Sequence, residues 1–414
     1  MSKLEKLIQQ YCPDGVEYHP LWSLTAWDKK FNGIDKSKQK RVIKYNYLLA
    51  ADLKSYQVDE GTVKLLTTNI SNLYTSEELA GDLASEGEVV AIPWGGNPIV
   101  QYYKGRFLTA DNRIATSLDT NNLNNKFLYY CMLSQMKLIS SFYRGSGIKH
   151  PEMAKVLDLE IPVPPLPVQE EIVRVLDTFT ELQAELQAEL QKRQQQYNFY
   201  RDNLLNFKNI DRGGQAEVRW MKLKNVCMKT SNIKWKSTTG QYRYIDLSSV
   251  DIQTHSIIST IEIDKMSAPS RAQQIVQEDD VIFATTRPTQ MRACIIPTEY
   301  NGDICSTGYC ILRADRNILL PKFLFFSMTT STFKIYLSNN LTLGNYPSIS
   351  NSALMGYEIP VPPIAEQQKI VSILDRFDTL TNDLTSGLPA EMEKRRQQYE
   401  FYRDKLLTFK RKEA

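Results

Sequence analysis

Two segments of the chain place apolar residues at the alternating three- and four-residue spacing of a coiled-coil helix. Gln183 and Arg193 fill the two heptad places in the first segment that are not apolar. Prolines within residues 161–167 prevent the helix from beginning earlier. The pattern predicts one long helix with a continuous apolar seam. Its members are Ile172, Leu176, Phe179, Leu186, Leu190, Tyr197, Tyr200, Leu204 and Phe207.

The second helical segment repeats the first. Residues 161–182 read IPVPPLPVQEEIVRVLDTFTEL and residues 359–380 read IPVPPIAEQQKIVSILDRFDTL. Further on, KRQQQYNFYRDNLLNF (192–207) matches KRRQQYEFYRDKLLTF (394–409). Two matching seams predict antiparallel packing of the helices on each other, because the chain between them must turn back. The alternative is that each helix packs only on its own domain.

The second copy differs from the first by four extra residues near 386–389. Gly387 suits the position just after a helix, and Pro389 suits the first turn of a new one. We therefore expect the second helical segment to be interrupted at this point.

The segments that precede each copy are strand-rich and end in an aromatic helix. The strands are expected at 89–94, 98–103, 113–118, 281–286, 293–298 and 309–314. Helices are expected at 126–143 and 322–338, with their aromatic residues in the core, and polar loops follow at 144–151 and 342–350. The predicted fold is α+β: two homologous domains separated by a long antiparallel coiled coil, with a pseudo-twofold internal repeat. The predicted parts are an N-terminal helix (1–11), a first domain (12–160), a first connector (161–210), a second domain (211–358) and a second connector (359–414).

Composition narrows the class of protein further. The chain has 414 residues, of which 42% are hydrophobic and 23% charged, which fits two globular domains. It contains neither an apolar run long enough to cross a membrane nor an N-terminal apolar region of a secretory signal, so we expect a cytoplasmic protein. Six scattered cysteines and three histidines argue against a disulfide framework and against a structural zinc site.

Motifs of catalysis and nucleotide binding are missing from the sequence. It contains no glycine-rich phosphate loop, and no histidine lies in a recognisable triad or zinc motif. The Pro-Pro pairs at 164–165 and 362–363 lack the aromatic residue that follows Pro-Pro in amino-methylases. Ser146, Asp279 and Asp280 are interpreted as loop and strand-edge residues. The sequence therefore predicts a chain that performs no reaction itself.

Basic residues cluster at equivalent places in the two domains, although the net charge is only +3. Such clusters can neutralise DNA phosphates, and Asn, Gln and Arg can contact base edges. The alternative is an ordinary solvated run of charge. The first cluster contains Lys29, Lys30, Lys36, Lys38, Lys40, Arg41 and Lys44, and the second contains Lys229, Lys234, Trp235, Lys236 and Arg243.

The connectors resemble the conserved regions of type I restriction–modification specificity subunits. The segment LEKLIQQYCPDGVEYHPL near the N-terminus resembles the start of that family, and the resemblance extends over essentially the whole chain. It implies two target recognition domains, each of which binds half of a bipartite site in double-stranded DNA. It also implies helices that set the gap between the halves and dock two modification (methyltransferase) subunits, with two restriction subunits completing the complex. AdoMet, ATP and Mg²⁺ would then bind to the partners and not to this chain.

Within this resemblance, particular residues become candidates for DNA and partner contacts. Polar residues on strand ends and loops are candidate DNA readers: Arg106, Arg113, Arg144, Lys149, Arg287, Arg292, Asn345 and Tyr346. The repeated aromatic and basic residues of the connectors are candidate partner contacts, unless they only pack the coil: Tyr197, Tyr200, Arg201, Tyr399, Tyr402 and Arg403. Two rival classes are a coiled-coil scaffold with protein-binding domains and a single-chain DNA methylase or nuclease with unrecognised motifs.

Overall fold

A computed structural model describes residues 2–207, 218–342, 344, 346–382 and 387–412. The chain forms two compact units, Met1–Ala184 with Arg395–Ala414, and Glu185–Lys394. Each unit therefore combines one globular domain with parts of both long helical segments. Within the described residues, no helix is long and apolar enough to cross a membrane.

The helices of the described residues are numbered in chain order. They are α1 (Lys3–Tyr11), α2 (Leu21–Leu24), α3 (Ala50–Ser55), α4 (Glu77–Ala80), α5 (Asn125–Ser134), α6 (Met136–Ser141), α7 (Met153–Leu157), α8 (Leu166–Leu204), α9 (Leu223–Val226), α10 (Pro321–Ser327), α11 (Ser331–Asn339), α12 (Asn351–Met355), α13 (Ile364–Asn382) and α14 (Leu388–Leu406).

The strands are numbered in the same way. Those of the first unit are β1 (Tyr18–Pro20), β2 (Thr25–Trp27), β3 (Val63–Leu66), β4 (Tyr74–Thr75), β5 (Ser85–Pro93), β6 (Gln101–Thr109), β7 (Asn112–Ser117), β8 (Tyr143–Arg144), β9 (His150–Pro151) and β10 (Glu160–Pro162). Those of the second unit are β11 (Arg219–Lys222), β12 (Cys227–Met228), β13 (Tyr242–Ile245), β14 (Ile261–Ile263), β15 (Ala272–Ile275), β16 (Val281–Ala284), β17 (Ala293–Ile295), β18 (Ile304–Ser306), β19 (Tyr309–Ala314) and β20 (Glu358–Val361).

The predicted coiled-coil helices are present. Helix α8 runs without interruption for 39 residues. The second segment is divided into α13 and α14, and Pro389 lies in the first turn of α14 as predicted. Residue 386, the first of the four residues of the predicted insertion, lies outside the described residues.

The two helical segments pack on each other in opposite directions within each unit. In the first unit the Phe179 ring stacks on Tyr402 at 5.5 Å, while Thr180, one residue later, bonds to the earlier residue Tyr399. In the second unit Phe377 stacks on Tyr200, also at 5.5 Å. The next residue, Asp378, interacts with the earlier residue Tyr197. The antiparallel packing is therefore confirmed, with the same aromatic stack in both units.

Both globular domains are built on the same strand topology. The first has the order β2-β7-β5-β6-β3-β4, in which β3 runs parallel to β6. The second has the orders β12-β19-β16-β17 and β14-β13-β18-β15, in which β13 runs parallel to β18. The long strand β6 thus corresponds to β17 and β18, which a short turn at Thr298–Tyr300 separates. This shared order confirms that the domains are homologous.

The aromatic helices are buried as predicted, but each is divided into two. Phe127, Tyr130, Phe323 and Phe326 are core residues. The second helix ends at Ser327, and the side chain of Thr330 caps the new helix α11 by accepting from the Phe333 N–H. The continuous helices predicted at 126–143 and 322–338 are therefore wrong in that detail. A propensity pattern does not show the local break that a side-chain cap creates.

A buried glutamine attaches each globular domain to its long helix. Gln169 accepts from the Asn124 N–H at 2.9 Å and donates to the Asn122 and Pro164 carbonyls at 2.8 and 2.6 Å. Its repeat equivalent, Gln367, accepts from the Leu320 N–H and donates to the Ile318 and Pro362 carbonyls, each at 2.8 Å. Both side chains are fully buried. The repeated IPVPP segment therefore positions the domain on the helix through backbone contacts that do not depend on the domain's own sequence.

Candidate nucleic-acid interface

In the first unit, two loops pack edge to edge. The β5–β6 turn meets the loop between β8 and β9, and we call residues 94–97 and 145–150 platform 1. The Gly96 N–H donates to the Lys149 carbonyl at 3.0 Å. The Trp94 carbonyl bonds to Nδ1 of His150 at 2.7 Å. A Cβ atom at Gly95 would lie 2.9 Å from a methyl group of Ile148, so the two loops are in close contact there.

Basic side chains surround the Trp94 ring of platform 1. Lys29 Nζ lies 5.3 Å and the Arg113 guanidinium 4.6 Å from the ring centroid. Lys29 is exposed, whereas Arg113 is buried and bonds to the Asp28 carboxylate at 3.2 Å. Burial raises the pKa of Asp28, and the bond from the Ile114 N–H and the charge of Arg113 only partly oppose it. Arg113 therefore supports Trp94 from inside the domain, and its role as a DNA reader stays a prediction.

The second unit has an equivalent pair of loops, and we call residues 285–291 and 346–348 platform 2. The Arg287 N–H donates to the Pro347 carbonyl at 2.7 Å, and the Ile349 N–H donates to Thr285 at 2.9 Å. The Arg287 guanidinium lies 5.0 Å from the ring centroid of Tyr346. Both side chains are exposed. The structure thus brings together these two predicted readers, while Asn345 lies outside the described residues.

The first basic loop is anchored by a buried glutamine, and most of its basic side chains are exposed. The buried Gln39 accepts from the Phe31 N–H at 2.9 Å and donates to the Lys29 carbonyl at 3.1 Å. Lys38 pairs with Asp158 at 2.5 Å and so is engaged within the unit. The remaining predicted basic side chains of this loop are exposed: Lys30, Lys36, Lys40, Arg41 and Lys44.

In the second basic loop the lysines and the tryptophan have different roles. Lys229, Lys234 and Lys236 are exposed. The Trp235 indole N–H donates to the Ala272 carbonyl at 2.7 Å, so Trp235 anchors the loop. Arg243 bonds to Asp303 at 2.8 Å. Each of these two side chains is half-exposed and bonded within its own unit, and their role as DNA contacts stays a prediction.

Three other predicted readers also have partners inside their units. Arg106 bonds to Glu77 and to the Gly81 carbonyl. Arg144 bonds to Glu152 at 2.8 Å, and Arg292 bonds to the Val250 carbonyl. The side chain of Lys149 is exposed, and its backbone carbonyl accepts from the Gly96 N–H within platform 1. Within the described ranges, no cluster of three potential metal ligands occurs.

The repeated helix ends offer a pair of exposed aromatic residues that the sequence did not single out. Tyr197 and Arg201 are buried, and Tyr399 and Arg403 are half-buried. Their role as partner contacts stays a prediction. Tyr200 and Tyr402 are exposed at one edge. Phe199 and Phe401 are 64% and 62% exposed, at equivalent places. They were missed because they lie outside the apolar seam; their only signal was their repetition.

Comparison with known proteins assigns the class. A family model described as the type I restriction modification DNA specificity domain matches residues 32–193 and 217–394. The chain therefore belongs to the family of type I restriction–modification specificity subunits.

Individual relatives support this assignment. The chain is similar to the type I restriction enzyme EcoR124I/EcoR124II specificity subunit of Escherichia coli, at 31% identity over 100% of this chain and 98% of that protein. It is 24% identical to the type I restriction enzyme MpnII specificity subunit of Mycoplasma pneumoniae, over 62% of this chain and 91% of that protein. The fold is similar to the crystal structure of a type I restriction-modification system S subunit from M. genitalium, with a TM-score of 0.56, 16% identity, and 95% and 96% of the two chains covered.

Proposed function

We propose that this chain selects the DNA sequence at which a type I restriction–modification complex acts, with each globular domain reading one half of a bipartite site. Membership of the specificity family supports this proposal, and so does the presence of the same loop platform in two domains whose sequences differ. The observation that carries it is the exposed basic or aromatic group on each platform: Lys149 on platform 1, and Arg287 and Tyr346 on platform 2. In the first unit, Lys29 of the lysine-rich loop also lies 5.3 Å from the Trp94 ring.

The lysine-rich loops and the platforms have different roles in DNA recognition. The lysine-rich loops neutralise phosphates and orient each domain, which gives affinity without sequence preference. The platforms present groups able to contact base edges in the major groove. The long helices hold the two domains in one chain and so determine how many unread base pairs separate the half-sites.

Methyl transfer and DNA cleavage belong, in this proposal, to partner subunits that assemble on the chain. The partners are double-stranded DNA, two modification subunits and two restriction subunits. AdoMet, ATP and Mg²⁺ would be bound by those subunits.

The phosphate role of the first basic loop predicts a uniform loss of DNA affinity. Replacing Lys36, Lys40 and Arg41 together by alanine should weaken binding to all sequences, because these exposed cations lie on one anchored loop. The slope of log affinity against log salt should decrease by about one per lost phosphate contact. Filter binding of the chain with its modification partner, at a series of salt concentrations, measures both quantities.

The outcome also separates the rival classes. Lys137→Ala, on the exposed face of α6, is the matched control and should leave the slope unchanged. Salt-independent binding would favour a protein-binding scaffold. Methylation or cleavage by the purified chain alone would favour a single-chain enzyme.

The exposed phenylalanines predict where the modification subunits bind. Aromatic residues at the centre of an interface contribute most of its binding energy, and truncation typically weakens binding by about 2 kcal/mol. Phe199→Ala and Phe401→Ala should each remove one of two bound subunits, and the double variant should remove both. Native mass spectrometry of the complex counts the subunits.

Ile335→Ala is the matched control for this experiment. Ile335 is 62% exposed, but it lies on the globular domain and not on the long helices. It should leave assembly unchanged. Full assembly of the Phe199 and Phe401 double variant would place the partner surface elsewhere on the chain.

A further inference from the structure

Arg287 occupies the place in platform 2 that a glycine occupies in platform 1. The Gly96 N–H bonds to Lys149, and the Arg287 N–H bonds to the equivalent residue, Pro347. Both residues also have a positive φ, of 106° for Gly96 and 50° for Arg287. The two positions are therefore equivalent in the fold, and each has a positive φ, but one carries a glycine and the other an arginine.

An arginine at this position costs folding free energy that a glycine would not. A left-handed backbone brings the Cβ atom of an L-residue close to its own carbonyl oxygen, whereas glycine has no Cβ. Met291, at the other end of the same turn, also has a positive φ, of 56°. Strained residues of this kind are characteristic of functional sites. The strain indicates that the Arg287 side chain is retained for a reason other than stability.

The guanidinium of Arg287 is held in place and yet free to bind. The guanidinium lies over the Tyr346 ring, and the hydrogen bond from the Arg287 N–H to the Pro347 carbonyl fixes the backbone from which the side chain extends. Other arginines of the second unit are occupied by carboxylates, such as Arg313 by Asp280. Among the residues that the structure describes, no carboxylate forms an ion pair with Arg287. Its N–H groups are therefore available to an external acceptor.

We infer that Arg287 reads a guanine in the half-site bound by the second domain, with two N–H groups donating to O6 and N7 of the base. This inference rests on the proposed function. A phosphate can be approached from many directions, and the exposed lysines of the second basic loop already serve that role. A base edge instead requires a planar donor in a fixed orientation, which stacking on Tyr346 provides. Tyr346 is thus a positioning residue.

Two substitutions at Arg287 test the assignment in complexes with the modification partner. The bound sequence is first obtained by mapping methylated bases in DNA from cells that express the complex. Binding is then measured with duplexes in which each guanine of the half-site is replaced in turn. Arg287→Lys keeps the charge but loses the planar fork, and Arg287→Gly removes the side chain together with the strain. Both should lower discrimination at one guanine by about tenfold to a hundredfold.

Other readouts distinguish base reading from a structural role and from a phosphate contact. Arg287→Gly should not lower the unfolding temperature, because glycine accepts the backbone conformation. Arg287→Lys should leave the salt dependence of binding unchanged. Tyr346→Phe should retain discrimination, and Tyr346→Ala should weaken it. The matched control, Arg316→Lys, changes an exposed arginine that pairs with Asp279 before β16, whereas Arg287 follows that strand.

Each result bears on one proposal. Equal loss of affinity for every duplex would make Arg287 a phosphate contact, and unchanged discrimination or a half-site without guanine would overturn the assignment outright. A wild-type complex that binds all sequences equally would instead contradict the proposed function.

Discussion

Replacing Gln169 or Gln367 by leucine is expected to destabilise the unit that contains it by about 1–3 kcal/mol. Each amide satisfies one backbone N–H and two backbone carbonyls, and each is fully buried. Leucine has a similar size but offers neither a donor nor an acceptor. Three backbone groups would then lose their partner, and the Pro164 or Pro362 carbonyl would be left buried and unsatisfied. One unsatisfied buried group costs roughly 1–3 kcal/mol.

Hydrogen exchange read by mass spectrometry can assign the loss to one unit. Gln169→Leu should increase exchange around Asn124, in the first domain, and Gln367→Leu around Leu320, in the second. Glu170→Leu and Gln368→Leu are matched controls, because these neighbouring side chains are exposed. A loss below about 1 kcal/mol would indicate that water replaces the amide, and that the glutamine is not the attachment point.

The helical frame could be predicted from the sequence because its signals are local and repeated. The heptad spacing placed Phe179 in the seam, and the copy placed Phe377 at the equivalent point, where both stack on a tyrosine at 5.5 Å. Gln169 was not predicted, although it lies in the repeated segment. A glutamine on a helix normally faces solvent, and only its three backbone partners explain its burial.

The loop platforms could be predicted only in part, because their geometry depends on contacts between distant segments. Arg113 and Asp28 are far apart in the sequence, and no local pattern indicates that they pair inside the domain. Trp94 was overlooked for the same reason, since its basic neighbours come from other loops. Arg287 and Tyr346 were correctly expected to be exposed polar groups. The positive φ of Arg287 is a tertiary feature without a sequence signal.

The division of the second domain's sheet was also not predictable. Strand β6 spans nine residues in the first domain, whereas the second domain has two three-residue strands in its place. The interiors of the two domains differ too much in sequence for one to serve as a guide to the other. Divergent interiors on a common frame are what different half-sites would require.

Lengthening α8 by one helical turn within residues 183–190 is expected to change the spacer of the DNA site without changing either half-site. The helix is continuous through this stretch, and side chains such as Gln187 and Ala188 are exposed, so an inserted turn need not disturb either domain. One turn adds about 5.4 Å of helix. DNA rises about 3.4 Å per base pair on each strand, so the preferred gap should grow by roughly one or two base pairs.

Methylome sequencing of cells that carry the lengthened chain checks this expectation. Methylation at sites with the original spacing should fall by about tenfold or more, because a site that satisfies only one domain loses the base contacts of the other, each worth roughly 1–3 kcal/mol. New methylation should occur at the same half-sites with the longer gap. Substituting Gln187 by alanine without inserting residues is the control and should leave the methylome unchanged. If the half-sites changed while the spacing stayed the same, the helices would not set the spacing, and the platforms would depend on the helix in a way that their contacts do not indicate.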